Sequence, residues 1–95
     1  MIKESRGLLT SAAAETLALE AFSWLAGEPE ALGRFLALAG IGPGSLRTAA
    51  AAPGFLGGVL DFLVSDEALL VAYAREAGIR PEQIAAARRA LGGDE

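Results

Sequence analysis

The sequence contains no cysteine and no histidine among its 95 residues. Without cysteine, the chain cannot form a disulfide bond, a thiolate nucleophile or a cysteine-ligated metal site. Without histidine, it also lacks the usual general base and the commonest metal-binding side chain. These absences predict a protein with no metal and no cofactor, and they favour a function other than enzymatic catalysis.

Long hydrophobic runs and an excess of positive charge are missing as well. The longest uncharged segments, residues 35–46 and 48–60, are too short for a membrane span and are interrupted by glycine and proline. The first residues, with Lys3, Glu4 and Arg6, do not resemble a secretory signal, so we expect a cytoplasmic protein. A net charge of −4 disfavours binding to DNA backbones and anionic membranes.

The chain is rich in apolar residues at helical spacing. Its length and its 53% hydrophobic content predict one domain, residues 1–95, with one core. Residues 1–10 show no periodicity and are expected to be flexible. No segment alternates with a period of two, so the predicted fold is all-α, a compact bundle of five to six short helices.

Capping residues, prolines and glycines divide the chain into these helices. The predicted helices span about residues 11–26, 29–40, 43–51, 53–64, 66–78 and 81–91. Their inward faces are expected to include Ala39, Ala50 and Ala77 near the helix ends. Gly57 and Gly58, inside the fourth helix, indicate the close approach of a neighbour or a loose turn.

The two halves of the chain resemble each other at an offset of 38 residues. The shared pattern contains apolar positions and the turn sequence Ala-Gly-Ile-x-Pro, which are the positions that define a three-helix unit. The identical pairs are Leu25 and Leu63, Leu32 and Leu70, Ala39 and Ala77, Gly40 and Gly78, Ile41 and Ile79, Pro43 and Pro81, and Ala49 and Ala87. We therefore predict an internal duplication, with units at about 11–51 and 53–92 related by an approximate two-fold axis.

Several short motifs resemble a known family. They are Trp24-Leu25, Glu28-Pro29, Leu32-Gly33-Arg34-Phe35, Gly40-Ile41-Gly42-Pro43, Val59-Leu60-Asp61-Phe62-Leu63 and Asp66-Glu67. The chain is similar, over nearly all of its length except the first ten residues, to short uncharacterised proteins of alphaproteobacteria that are classed as a domain of unknown function. The resemblance implies a single-domain architecture, and it implies no activity, cofactor, partner or site residue.

Trp24 and Phe62 occupy equivalent positions in the two halves and are the candidate interaction residues. Both are expected in the core, but either would be an interface anchor if the helices left it exposed. Leu19, Leu38 and Val71 fall at the edges of their apolar faces. The sequence therefore predicts a module that binds another protein or itself.

The segment Gly40-Ile41-Gly42-Pro43 also resembles the hairpin of a helix-hairpin-helix motif, in which glycine N–H groups hold a DNA phosphate. The alternative function is therefore a tandem helix-hairpin-helix module that binds the DNA backbone non-specifically. Its candidate residues are Gly40, Ile41, Gly42, Gly44 and Arg47. Against this function, Arg80 replaces the second glycine of the motif in the second half of the chain. In addition, an ordinary glycine helix cap followed by proline has the same sequence pattern.

Asp61 is the acidic residue that lies within the most apolar predicted helix. A carboxylate in such a setting could act as a general acid or base. Its equivalent in the first half is Ser23, on a polar helix face, so we interpret Asp61 as a surface residue and assign no catalytic residue.

Overall fold

The computed structural model describes residues 9–42 and 44–92, and every regular element in these ranges is helical. The six helices are α1 (Ser11–Ala26), α2 (Pro29–Ala39), α3 (Leu46–Ala50), α4 (Phe55–Val64), α5 (Glu67–Ala77) and α6 (Pro81–Leu91). The predicted all-α bundle is confirmed. None of the helices in the described ranges has both the length and the apolar character needed to cross a membrane.

The predicted caps account for most of the helix boundaries. The Thr10 hydroxyl accepts a hydrogen bond of 3.0 Å from the N–H of Ala13 at the start of α1. Pro29 and Pro81 lie in the first turns of α2 and α6, where proline needs no N–H partner. Gly40 follows α2 in the left-handed conformation, with φ 72°, and glycine adopts this conformation without strain.

Two helices begin later in the chain than the positions of their prolines led us to predict. The prediction that α3 begins at Pro43 is wrong, because the N–H of Ser45 donates to the carbonyl of Gly42 at 3.0 Å and α3 begins only after this turn. Pro43 itself lies outside the described residues. The prediction that α4 begins at Pro53 is also wrong, because Gly54 has a left-handed φ of 89°, which is incompatible with a continuous helix.

The core is organised around α4, which packs against each of the other five helices. This helix has a nearly continuous apolar sequence, as expected for a helix that is covered on most sides. Its buried residues are Phe55, Gly57, Val59, Leu60, Phe62 and Leu63. Against it, α1 contributes a face of small residues and Leu25, and α6 contributes Ile84 and Ala87.

The alanines predicted to face inward near three helix ends do not reach the core. Ala39, Ala50 and Ala77 are all exposed, which corrects that prediction. Each lies in the last turn of its helix, and Ala39 and Ala77 directly precede a left-handed glycine at which the chain changes direction. An alanine side chain is a single methyl group, so from the last turn of a helix it does not extend far enough to contact the core.

The proposed duplication is visible only in part. Both ends of α2 and α5 differ by 38 residues, and Gly40 and Gly78 cap them with φ values of 72° and 70°. The other pairs differ in length, because α1 has 16 residues against 10 in α4, and α3 has five against 11 in α6. An internal duplication stays a prediction.

The first ten residues were predicted to be flexible, and residues 1–8 lie outside the described part of the chain. The two described residues of this segment belong to the fold. Leu9 is half-buried and packs against the core, and Thr10 caps α1.

Candidate interaction surface

An apolar groove of about 330 Å³ lies between α2 and α4. Residues three and four positions apart share a helix face, which explains how each helix supplies one wall. The groove is lined by Phe35, Leu38 and Ala39 of α2, by Gly58, Asp61 and Phe62 of α4, and by Ser65 after α4. We call these seven residues the α2–α4 groove.

Two phenylalanine rings form the floor of this groove. Phe35 is 4% exposed and Phe62 is 6% exposed, and their ring centroids lie 5.5 Å apart at an interplanar angle of 61°. Edge-to-face packing of this kind fixes both rings. The floor is therefore a rigid, preformed apolar surface.

Gly58 contributes to the depth of the groove by having no side chain. A Cβ atom added at Gly58 would meet no atom within 4 Å, other than its own helix and chain neighbours. The space beside Gly58 is therefore open. Gly58 thus leaves a depression in the wall that α4 contributes.

Leu38 projects into solvent beside this depression. It is 76% exposed, the highest value among the large hydrophobic residues of the described chain. A single exposed leucine is normal on a protein surface. An exposed leucine that borders an aromatic-floored groove is more informative, because Leu38 and the two rings line the same apolar groove.

Asp61 and Ser65, the two polar side chains that line the groove, each make a hydrogen bond within the protein. Asp61 Oδ1 accepts a hydrogen bond of 2.8 Å from Arg88 Nε, which joins α4 to α6. The Ser65 hydroxyl donates to the carbonyl of Phe62 at 2.8 Å. The groove therefore presents mainly carbon surface to a ligand.

A second ion pair lies near the groove. Arg34 Nη1 is 3.2 Å from Asp66 Oδ2, and Arg34 Cζ lies 5.6 Å from the centroid of the Phe62 ring. The N–H of Leu69 and then the Arg34 guanidinium hold the pKa of Asp66 below its ordinary value. Arg34 therefore lies over the Phe62 ring while its charge is matched by the Asp66 carboxylate.

A larger cavity of about 510 Å³ lies between α1, α6 and the segment that joins α3 to α4. Its charged lining residues are Glu15 and Arg88. Arg88 donates to both Asp61 and the Gly92 carbonyl at 2.8 Å. We assign this cavity a structural role, because its cation is held by the fold.

The structure separates the two residues that the sequence selected as interaction candidates. Phe62 is buried and forms part of the groove floor, so it is not an exposed anchor. Trp24 is half-buried, with its ring centroid 5.4 Å from that of Tyr73. Burial, and then the charge of Glu20, raise the pKa of Tyr73 above its ordinary value.

The turn selected for DNA binding serves as a helix cap. The N–H groups of Gly40 and Ile41 donate to the carbonyls of Ala37 and Leu36, at 3.2 and 2.9 Å, and so close α2. Ile41 is half-buried and packs against the core. Gly42, Gly44 and Arg47 are exposed, and Arg47 lies in the five-residue helix α3. Two of the candidate phosphate-binding N–H groups are therefore already used.

Asp61, considered above as an isolated acid, has the ion pair with Arg88 described here, and its side chain is 60% exposed. Among the described residues, no group of three or more acidic side chains is arranged to hold a metal ion. Asp61 therefore connects two helices at the edge of the groove.

A family model for proteins of unknown function, DUF3572, matches residues 11–94. The chain belongs to the DUF3572 family. The sequence-based resemblance to a domain of unknown function is thus confirmed, and its alphaproteobacterial origin stays a prediction. No curated protein and no solved structure matches this chain.

The part of the chain that matches DUF3572 contains the six helices of the described ranges and the complete α2–α4 groove. The sequence did not predict this groove, although it identified Leu38 as a residue at the edge of an apolar face. The signal that could have found it is Gly58, a glycine on the same helix face as Phe62. From the sequence alone, Gly58 indicated only the close approach of a neighbour or a loose turn.

Proposed function

We propose that this DUF3572 protein is a cytoplasmic, non-enzymatic domain that binds another polypeptide through the α2–α4 groove. The observation that carries the proposal is the position of Leu38, 76% exposed, beside an apolar depression with two phenylalanine rings as its floor. An exposed apolar surface beside a preformed depression is typical of a protein-binding surface.

The free energy available at this surface supports binding of modest strength. Complete burial of one leucine side chain contributes about 1.5–3 kcal/mol. The phenylalanine floor is already ordered in the free protein, so binding does not require the two rings to lose rotamer freedom. A single groove of this size is much smaller than a typical stable interface, so we expect a transient complex.

The partners of the polar groups favour an apolar ligand. The two polar side chains of the groove already make hydrogen bonds inside the protein, Asp61 with Arg88 and Ser65 with the Phe62 carbonyl. Apolar side chains of a polypeptide require neither group. Recognition of this kind is common for helices that insert one or two apolar residues into a groove.

The absence of cysteine allows a direct test with a single introduced thiol. The variant Ala39→Cys, labelled with a benzophenone maleimide, places a photo-crosslinker on an exposed residue of the groove. The matched control is Ala12→Cys, on an exposed alanine of α1 that does not line the groove.

Both labelled proteins are irradiated in native lysate and in purified solution. We expect covalent polypeptide adducts from position 39 in at least one of these conditions, well above the yield from position 12. Equal yields from the two positions, or adducts from neither, would refute the proposed function.

A further inference from the structure

We infer that residues 45–54 form a strap that opens and closes as a unit over the cavity of about 510 Å³, while the other helices of the described chain stay in place. The strap consists of Ser45, the short helix α3 and the segment that joins α3 to α4. A segment of a native protein opens locally when few apolar contacts and no long-range hydrogen bonds hold it closed. The strap meets both conditions.

Few apolar contacts hold the strap against the fold. Eight of its ten residues are exposed, and the other two, Leu46 and Ala49, are half-buried and pack against the core. No buried core residue of the described chain belongs to the strap. α3 contains no buried residue, whereas each of the other five helices contains at least two. Opening therefore removes one leucine and one alanine from the edge of the core and leaves its centre intact.

Hydrogen bonds do not connect the strap to distant parts of the described chain. Its backbone hydrogen bonds span three or four residues, as in the bonds from Ala49 to Ser45 at 2.9 Å and from Ala52 to Ala49 at 3.0 Å. No side chain of the strap makes a hydrogen bond or an ion pair with another described residue. The strap can therefore leave the fold without breaking a polar contact to another helix.

Half of the strap spans a cavity instead of packing on the core. Residues 50–54 form one wall of the cavity, and α1, α4 and α6 supply the other walls. Atoms that border an empty space lack the dispersion contacts that close packing provides. This half of the strap therefore adds little to the free energy that keeps the strap closed.

Glycines at both ends of the strap allow it to move. Gly44 precedes the strap and Gly54 is its last residue, and both are exposed. A Cβ atom added at either glycine would meet no atom within 4 Å other than those of its chain neighbours. Because glycine accepts a wide range of φ and ψ, rotation at these two positions can move the strap while α4, which begins at Phe55, stays in place.

Limited trypsin digestion tests the opening, because Arg47 lies in the strap. Cleavage of a segment that opens and closes rapidly follows the population of its open form. Each cleavage rate is divided by the rate for the same bond in a short peptide, which removes the sequence preference of trypsin. We expect cleavage after Arg47 to be at least about tenfold faster than after Arg34 in α2 or Arg75 in α5. Cleavage after Arg47 that is no faster than at these two residues would overturn the inference.

Two substitutions separate local opening from unfolding of the whole protein. Leu46→Ala removes the larger apolar contact of the strap and should speed cleavage after Arg47 about fivefold or more. Ile84→Val weakens the core at a fully buried residue that does not line the cavity. It should speed amide exchange in the core several-fold and leave cleavage after Arg47 within about twofold of wild type. An unchanged rate in Leu46→Ala, or equal acceleration of both processes by Ile84→Val, would show that the strap opens only when the whole protein unfolds.

Amide hydrogen exchange, followed residue by residue by NMR, tests whether the strap moves as a unit. The N–H groups of Ala49, Ala51 and Ala52 should be accelerated by the same factor in Leu46→Ala. In wild type their exchange should depend only weakly on low concentrations of urea, whereas exchange at Leu60 in the core should depend on urea steeply. Acceleration at Ala49 alone, or a steep dependence on urea at all four positions, would overturn the inference.

Discussion

The guanidinium group of Arg88 lies directly against Gly57. A Cβ atom added at Gly57 would be 3.1 Å from both Cζ and Nη1 of Arg88, closer than ordinary van der Waals contact. The same side chain donates to Asp61 and to the Gly92 carbonyl, so it cannot easily move aside. Gly57 is therefore the point at which a long side chain of α6 crosses the central helix α4.

This relationship predicts different effects for two adjacent substitutions in α4. Gly58→Ala should stabilise the fold by about 1 kcal/mol, because alanine is the better helix former and the added methyl group meets open space. Gly57→Ala gains the same propensity but must displace Arg88, so we expect it to be about 1 kcal/mol less stable than Gly58→Ala. Urea unfolding of both variants measures the difference, and equal stabilisation would show that Arg88 moves freely.

The left-handed conformations of Gly40 and Gly78 predict how alanine substitutions there change the stability of the fold. Gly40→Ala and Gly78→Ala should each destabilise the protein by about 1–2 kcal/mol, because an alanine at φ near 70° is strained. Gly33→Ala is the control, since Gly33 lies inside α2 with open space around it and alanine should stabilise the helix there. If Gly40→Ala and Gly33→Ala changed the midpoint of unfolding in the same direction, the assignment of Gly40 as the α2 cap would be wrong.

These glycines also show why much of the fold was predictable. Gly40 and Gly78 end their helices for a local reason, the conformation of one residue, and a local reason can be recognised in the sequence. The start of α3 was not predictable in the same way. It depends on the turn closed by Gly42 and Ser45, and Pro43, which lies between these two residues in the sequence, gave the wrong boundary.

The pKa of Asp66 predicts a dependence of stability on pH. A carboxylate whose pKa is lower in the folded state stabilises the fold above its unfolded pKa, about 3.9, and this contribution is lost as the pH falls through the folded pKa. Asp66→Asn keeps the N-cap acceptor but removes the charge. We expect it to be less stable than wild type at neutral pH, and the difference should shrink below about pH 5.

Chemical denaturation at a series of pH values measures this difference. Asp66→Ala, which removes the cap as well as the charge, should stay less stable than wild type at every pH. A difference between wild type and Asp66→Asn that is constant from neutral to acidic pH would show that the Arg34 pair and the helix cap do not depend on the charge.

The pKa of Tyr73 predicts a loss of fold stability at alkaline pH, whereas that of Asp66 predicts a loss at acidic pH. Tyr73 is the single tyrosine of the chain and is 3% exposed, and burial followed by the charge of Glu20 raises its pKa. A raised pKa stabilises the fold while the phenol is protonated, and this contribution is lost as the pH rises above about 10, the ordinary value. Near-ultraviolet absorbance of the phenolate should therefore appear above the ordinary pKa, and earlier in urea-unfolded protein. Identical titrations in the two states would place Tyr73 in solvent.

The candidate surface was less predictable than the helices, for a physical reason. The periodicity of α2 identified Phe35 as an inward residue, and the pattern of α4 did the same for Phe62. Whether a space remains above these rings depends on how the two helices approach each other, which periodicity does not contain. Gly58 was visible in the sequence, but its open surroundings exist only in the packed structure.

The most direct measurement of the central claim, that the α2–α4 groove binds a polypeptide, is the yield of photo-crosslinked adducts from labelled Ala39→Cys with and without Gly58→Met. The crosslinker stays in the same place in both proteins, and only the depression is filled. The account predicts abundant adducts from the single variant and a strong loss when methionine occupies position 58. An unchanged yield in the double variant would contradict it.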